Sequence, residues 1–225
     1  MGHACELRKA SVVSAVRRSK KKKSAQAAAR DAFRDSVRRA AERAFVAKGF
    51  SSLKMVDIAA EAGVGVGTIY NYFADKEAVF QAIFEARTEE FEALLERAIT
   101  DQPPCAQAEL LIRTSLEYFE AHGELIAMFH ERGAVGELDI ERLGGDVMEQ
   151  SYQRFLRRLE SALSAAVAAG ELRSDLPVSS LVAALSGARN GMIYAWIKSR
   201  RREQLSSLAE HCLTLFFSGA RARHD

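Results

Sequence analysis

Apolar residues along this chain return every three or four positions, and only helices bury such a pattern on one face. Phe33, Val37, Ala41, Ala44 and Phe45 predict a first helix over about 27–48, stopped by Gly49. A short helix follows over about 54–62, with Ser52 as the candidate cap, and another over about 66–72. A long fourth helix spans about 76–99, with Val79, Ile83, Ala86, Leu94 and Ala98 along one side. Asp101-Gln102-Pro103-Pro104 then breaks the chain. Further helices are expected over about 105–121, 124–132, 145–169, 178–201 and 204–220, with Gly170 as a helix stop and Ser174-Asp175-Leu176-Pro177 as a turn. No run alternates as a half-buried strand does, so the expected fold class is all-α.

One stretch departs from plain amphipathic helix. Residues 57–76 read DIAAEAGVGVGTIYNYFADK. Ile58 and Ala59 belong to a first helix, and the small Ala59 allows a second helix to cross closely. Gly63 stands where the turn needs positive φ, and Val64 and Ile69 are spaced to pin the turn and the second helix to a core. That is the pattern of a helix-turn-helix, which places a short helix in the DNA major groove. The second helix offers Thr68, Tyr70, Asn71 and Tyr72, side chains suited to phosphates and base edges. Phe73 lies four residues after Ile69 on the same face and is the better core aromatic. Gly65 can cap this helix at a cost of only a few tenths of a kcal/mol relative to Ser.

The segment from about Ala28 to Arg97 resembles the DNA-binding half of the TetR/AcrR family of transcriptional regulators. The likeness is carried by Lys48-Gly49-Phe50, by the DIAAEAGV run, and by GTIYNYFADKEAVF at Gly67–Phe80. It implies an N-terminal three-helix DNA-binding domain joined through the fourth helix to a C-terminal helical ligand-binding and dimerisation domain. Matched position by position, the family pattern makes Val66, Gly67, Thr68, Tyr70, Asn71, Tyr72 and Lys76 the DNA-contacting residues. Asn71 is the side chain best able to pair with adenine, Tyr70 offers a ring to a thymine methyl, and Tyr72 and Lys76 suit phosphates. Gly65 and Val66 depart from the Ser and polar residue of many relatives. Val66 therefore shifts readout toward apolar contact.

Charge supports a nucleic-acid partner. Residues 1–76 carry 16 Lys and Arg against seven Asp and Glu, whereas residues 77–225 carry 16 against 23. Counterion release from DNA favours the first balance and opposes the second. The basic run Arg17–Lys23 is either a solvated tail or an arm that follows the phosphates. Cys5, Cys105 and Cys212 fit neither a disulfide framework nor a metal spacing and read as reduced thiols of a cytoplasmic protein. No membrane span, cofactor motif or catalytic constellation is evident, so an enzyme is not expected. His122 and His130 lack a third ligand at fixed spacing and read as solvated helix-end histidines, not a metal site.

The second half carries two further expectations. Tyr118, Phe129, Tyr152, Phe155, Asn190 and Trp196 are aromatic or polar residues on otherwise apolar helices. They are candidates to line a pocket for an apolar or aromatic small-molecule effector. Asn190, inside an apolar helix, reads as a buried amide in need of a partner. Ala184, Ala188, Gly191 and Ala195 form a small-residue stripe on one helix, and Leu205, Leu208, Cys212, Leu215 and Gly219 form another. Together they are the expected homodimer interface. The expected organisation is a basic extension over 1–27, a DNA-binding domain over 28–76 and a ligand-binding and dimerisation domain over 77–225. The function that follows is a homodimeric repressor released from its double-stranded operator by a ligand. An activator or ligand-independent DNA binder of the same fold is the alternative.

Overall fold

The computed structural model describes residues 3–123, 146–199 and 204–221, with side chains from residue 25 onward. Eight helices are present among them: α1 (His3–Lys48), α2 (Met55–Ala62), α3 (Val66–Tyr70), α4 (Lys76–Ile99), α5 (Pro104–Ala121), α6 (Asp146–Ala168), α7 (Val178–Lys198) and α8 (Leu205–Ala220). The expected helix over 124–132 lies outside the described residues. The all-α fold class holds, and the one extended pairing among the described residues is an isolated bridge between Leu172 and Arg221.

The chain divides into two compact units, Met1–Val79 and Phe80–Asp225. In the first, α1 packs on α2 and α2 on α3. Val37, Ala41 and Phe45 of α1 and Ile58 of α2 are fully buried there, and the Phe45 and Phe50 rings stack at 5.4 Å. Each such aromatic or branched side chain contributes about 1.5–3 kcal/mol when taken out of water. The first helix begins far upstream of the expected Ala27, at His3. Ala, Lys and Arg, frequent in this stretch, are strong helix formers.

Ser52 does not cap α2. Lys54 is the cap residue, and its backbone N–H donates to Asp57 Oδ2 at 2.9 Å. At the other end Gly63 adopts φ 70°, its N–H donates to Ala60 O, and the Val64 N–H donates to Ala59 O at 3.0 Å. This pair of bonds is the Schellman closure that only a left-handed residue permits. Asp75 starts α4 by accepting a bond from the Ala78 N–H at 2.7 Å.

In the second unit α5 packs against α6 and α8, α6 against α7, and α7 against α8. Leu111, Ile112, Leu116, Phe155, Leu159, Leu163 and Leu185 make the center of its core. The expected apolar side of α4 is partly corrected: Phe91 and Leu95 are buried, while Leu94 only packs against the core and Ala98 is half-exposed. Gly170, at φ 75°, ends α6 with the same closure, its N–H donating to Val167 O and that of Glu171 to Ala166 O.

Candidate nucleic-acid interface and ligand cavity

In the first unit, α3 is only five residues long and takes its orientation from two anchors. Ile69 is fully buried and Phe73 nearly so. The opposite face carries Val66, Gly67, Tyr70 and Asn71, all exposed, with Tyr70 showing 55 % of its surface. Gly65 is the N-cap, in extended backbone. Thr68 is half-buried. The remaining two candidates are held by the protein itself. The Tyr72 ring lies 4.7 Å from Phe33, with the Arg30 guanidinium 5.7 Å from its centroid. Lys76 Nζ donates to Phe50 O at 3.1 Å and sits 4.4 Å from the Phe50 ring. Lys76 thus ties the start of α4 to the chain after α1.

Two cations that the motif did not single out stand in the same neighbourhood. Arg30 and Arg34 are exposed on α1, over the Tyr72 and Phe73 rings respectively. A four-residue spacing along α1 puts both on one face, which is the signal that finds them. Two further cations of this unit are paired: Arg43 with Glu61 at 2.9 Å, and Lys48 with Asp57 at 2.7 Å. The bond from Lys48, helped by the Lys54 backbone, holds the Asp57 carboxyl below its ordinary range.

The second unit contains a cavity of about 390 Å³ among α4, α5, α6 and α7. That is within the size range of small-molecule sites. Four of the six predicted pocket residues line it: Tyr118, Tyr152, Phe155 and Asn190. Trp196 does not; it is buried in the core of the unit. Phe129 lies outside the described residues. Sequence reading missed Phe84, Phe91, Phe119, Ile193 and Tyr194, which supply most of the remaining apolar wall. Tyr118 Oη donates to Arg87 O at 2.8 Å and its ring lies 5.1 Å from Phe91. His122 also lines the cavity, 4.4 Å from the Tyr118 ring. His130 lies outside the described residues, and no group of three metal-capable side chains occurs among those described.

Arg189, not Asn190, is the buried charged residue of this cavity. Asn190 is exposed; its Nδ2 donates to Tyr152 Oη at 2.9 Å and its Oδ1 accepts from Arg189 Nη1 at 2.9 Å. Arg189 is 4 % exposed. Its Nε donates to Ser115 Oγ at 2.7 Å, and its guanidinium lies 4.5 Å from the Phe155 ring and 4.9 Å from that of Phe119. Among the described residues no carboxylate pairs with it. Burial lowers its pKa to about 10, so it remains charged at neutral pH. Beside the cavity, Glu92 accepts from Ser151 Oγ at 2.8 Å, Arg154 Nε at 3.1 Å and Arg158 Nη1. Burial pushes the Glu92 carboxyl up, but these donors outweigh it and the pKa ends below the ordinary value.

The predicted small-residue stripe Ala184, Ala188, Gly191 and Ala195 is exposed on α7. On α8, Leu208 and Cys212 are half-buried and Leu215 is 78 % exposed, whereas Leu205 belongs to the core. Cys105 and Cys212 are free thiols whose pKa burial raises. No described helix is long and apolar enough to cross a membrane.

Comparison with known proteins agrees with this arrangement. Residues 37–83 match the sequence profile of the bacterial regulatory proteins of the tetR family. The chain is 23 % identical over 183 residues to the fatty acid metabolism regulator protein of Bacillus subtilis, covering 80 % of this chain and 91 % of that one. It is 29 % identical over 176 residues to the transcriptional repressor BepR of Brucella suis, covering 75 % and 82 %. Among solved structures, FadR of Bacillus subtilis in complex with stearoyl-CoA superposes with a TM-score of 0.66 at 22 % identity, covering 82 % of this chain and 97 % of that one. A TetR transcription regulator from Haloarcula marismortui superposes with a TM-score of 0.72 at 15 % identity, covering 85 % and 99 %.

Proposed function

From the match of residues 37–83 to the tetR family profile and the likeness to a known repressor, we propose that this chain is a TetR-family transcriptional regulator, a homodimeric repressor whose operator is released when a small molecule enters the α4–α7 cavity. The observation that carries the DNA half is the division of α3 and the residues just after it into a buried anchor, Ile69 and Phe73, and an exposed face, Val66, Gly67, Tyr70 and Asn71. On this reading Asn71 and Tyr70 face base edges and thymine methyls. Thr68, Lys76 and the Tyr72 hydroxyl, with Arg30 and Arg34, serve the phosphates. Residues 1–27 are a basic extension, 28–76 the DNA-binding domain, and 77–225 the ligand-binding and dimerisation domain.

One reading head contacts one half-site, and a twofold pair contacts two half-sites about 34 Å apart or a multiple of it. The exposed stripes of α7 and α8 are the proposed twofold contact. The effector has an apolar body, because seven aromatic residues stand in the cavity wall; the likeness to a regulator solved with stearoyl-CoA points the same way. Release needs only that the ligand bind one conformation more tightly than the other.

The test is fluorescence anisotropy on DNA from upstream of the protein's own gene, against a scrambled fragment across a salt series, for wild type and Tyr70→Ala. Selective binding by wild type that weakens about tenfold or more in Tyr70→Ala is expected. Equal affinity for both fragments, lost together as salt rises, would count against sequence-specific reading by α3.

A further inference from the structure

We infer that the effector is a carboxylate with an apolar body, its anionic head paired with Arg189 inside the cavity and its body lying against Phe91, Phe119 and Phe155. This rests on the cavity being the effector site.

A guanidinium that is 4 % exposed is expensive to bury without a counter-ion. Its described partners, Ser115 Oγ and Asn190 Oδ1, are neutral, and two aromatic faces hold it in place. Nε and Nη1 are used, and no described group accepts from Nη2. Of the other charged groups lining the cavity, Arg87 pairs with Glu90 within α4 and Glu149 accepts from Gln153 within α6; neither is hydrogen-bonded to Arg189. Protonation at neutral pH follows from the pKa of about 10. Among the described residues, Arg189 is the one buried charged group of the cavity wall, ordered by neutral hydrogen bonds and paired with no carboxylate. A core optimised for stability alone would carry an apolar side chain at this position. A planar carboxylate matches the planar fork of the guanidinium, and the aromatic wall, by lowering the local dielectric, strengthens the pairing. A neutral or cationic ligand would leave the charge unmatched or add to it.

The experiment measures binding directly, by calorimetry on the full chain, apart from any effect on DNA. The probes are decanoic acid, 1-decanol and decanoyl-coenzyme A, applied to wild type, Arg189→Met and Arg189→Lys. Decanoic acid is expected to bind wild type about tenfold to a hundredfold more tightly than the alcohol. That preference should vanish in Arg189→Met with alcohol binding unchanged, and should survive in part in Arg189→Lys. Arg189→Met should also melt no lower than wild type, which a merely structural arginine would not allow. Equal binding of acid and alcohol, or a preference that persists in Arg189→Met, overturns the carboxylate assignment and leaves the cavity as the effector site. The thioester outcompeting the free acid regardless of residue 189 overturns it too, since the recognised anion would then lie outside the cavity. Binding of none of the three overturns both this assignment and the apolar-effector reading.

Discussion

Glu92 is a single carboxylate that fastens α4 to α6 through Ser151, Arg154 and Arg158. Its folded pKa lies below the ordinary value. The carboxylate form is therefore favoured by folding, and its contribution is present above the unfolded pKa of about 4.3 and lost as pH falls through the lower folded value. Glu92→Gln should lower stability at pH 7 by about 1 kcal/mol, allowing for solvent screening. The gap from wild type should close on acidification below the ordinary carboxylate range. Denaturant melts at several pH values check this; a gap that stays constant as the carboxylate titrates would place the stabilisation elsewhere. Arg189 was legible in principle. Leu181, Leu185, Arg189 and Ile193 stand four apart, so the arginine occupies a buried register position of α7. The ordinary expectation that arginine is exposed hid it, and drew attention to the neighbouring amide instead.

At the scale of elements, two glycines of the turn between α2 and α3 do different work. Gly63 is left-handed, and a Cβ built there meets nothing within 4 Å, so only backbone conformation opposes a side chain. Gly65 has ordinary extended backbone, and its Cβ would come 3.9 Å from Thr68 Oγ1. Gly63→Ala should therefore cost about 1 kcal/mol, while Gly65→Ser should be neutral or stabilising by a few tenths of a kcal/mol as a better cap. Urea melts compare the two; equal effects would mean that the left-handed turn is not what constrains residue 63. Sequence patterning found these elements well because glycine, proline and apolar spacing mark α2 to α5 directly. It failed at the start of α1, where helix propensity rather than apolar spacing is the signal, and at the α2 cap. There a lysine backbone amide and Asp57 replace the expected hydroxyl.

At the scale of the whole molecule, the question is which exposed surfaces a second copy would cover. Gly191 is exposed and a Cβ there meets nothing within 4 Å, so a larger residue is tolerated within one chain. Leu215 exposes 78 % of its apolar surface. Gly191→Leu and Leu215→Glu should each shift the protein toward monomer while preserving helicity, as sedimentation velocity and circular dichroism would report. A dimer unaffected by either would move the contact off these faces. Such a surface is hard to read from one sequence, because an apolar stripe looks the same whether it meets its own core or another chain. Leu205 illustrates this: it continues the stripe of Leu208 and Leu215 in spacing yet is fully buried.

The bridge between Leu172 and Arg221 has a mechanical side. Just beside it the Arg173 N–H donates to Ala220 O at 2.8 Å, and Arg173 Nη1 donates to Gly219 O. At the opposite end of α8, the Ser206 N–H donates to Glu120 Oε2 at 2.9 Å. The last described helix is therefore a beam fixed at both supports, not a cantilever. Held in that way, it would take up a displacement of α5's end or of the turn after α6.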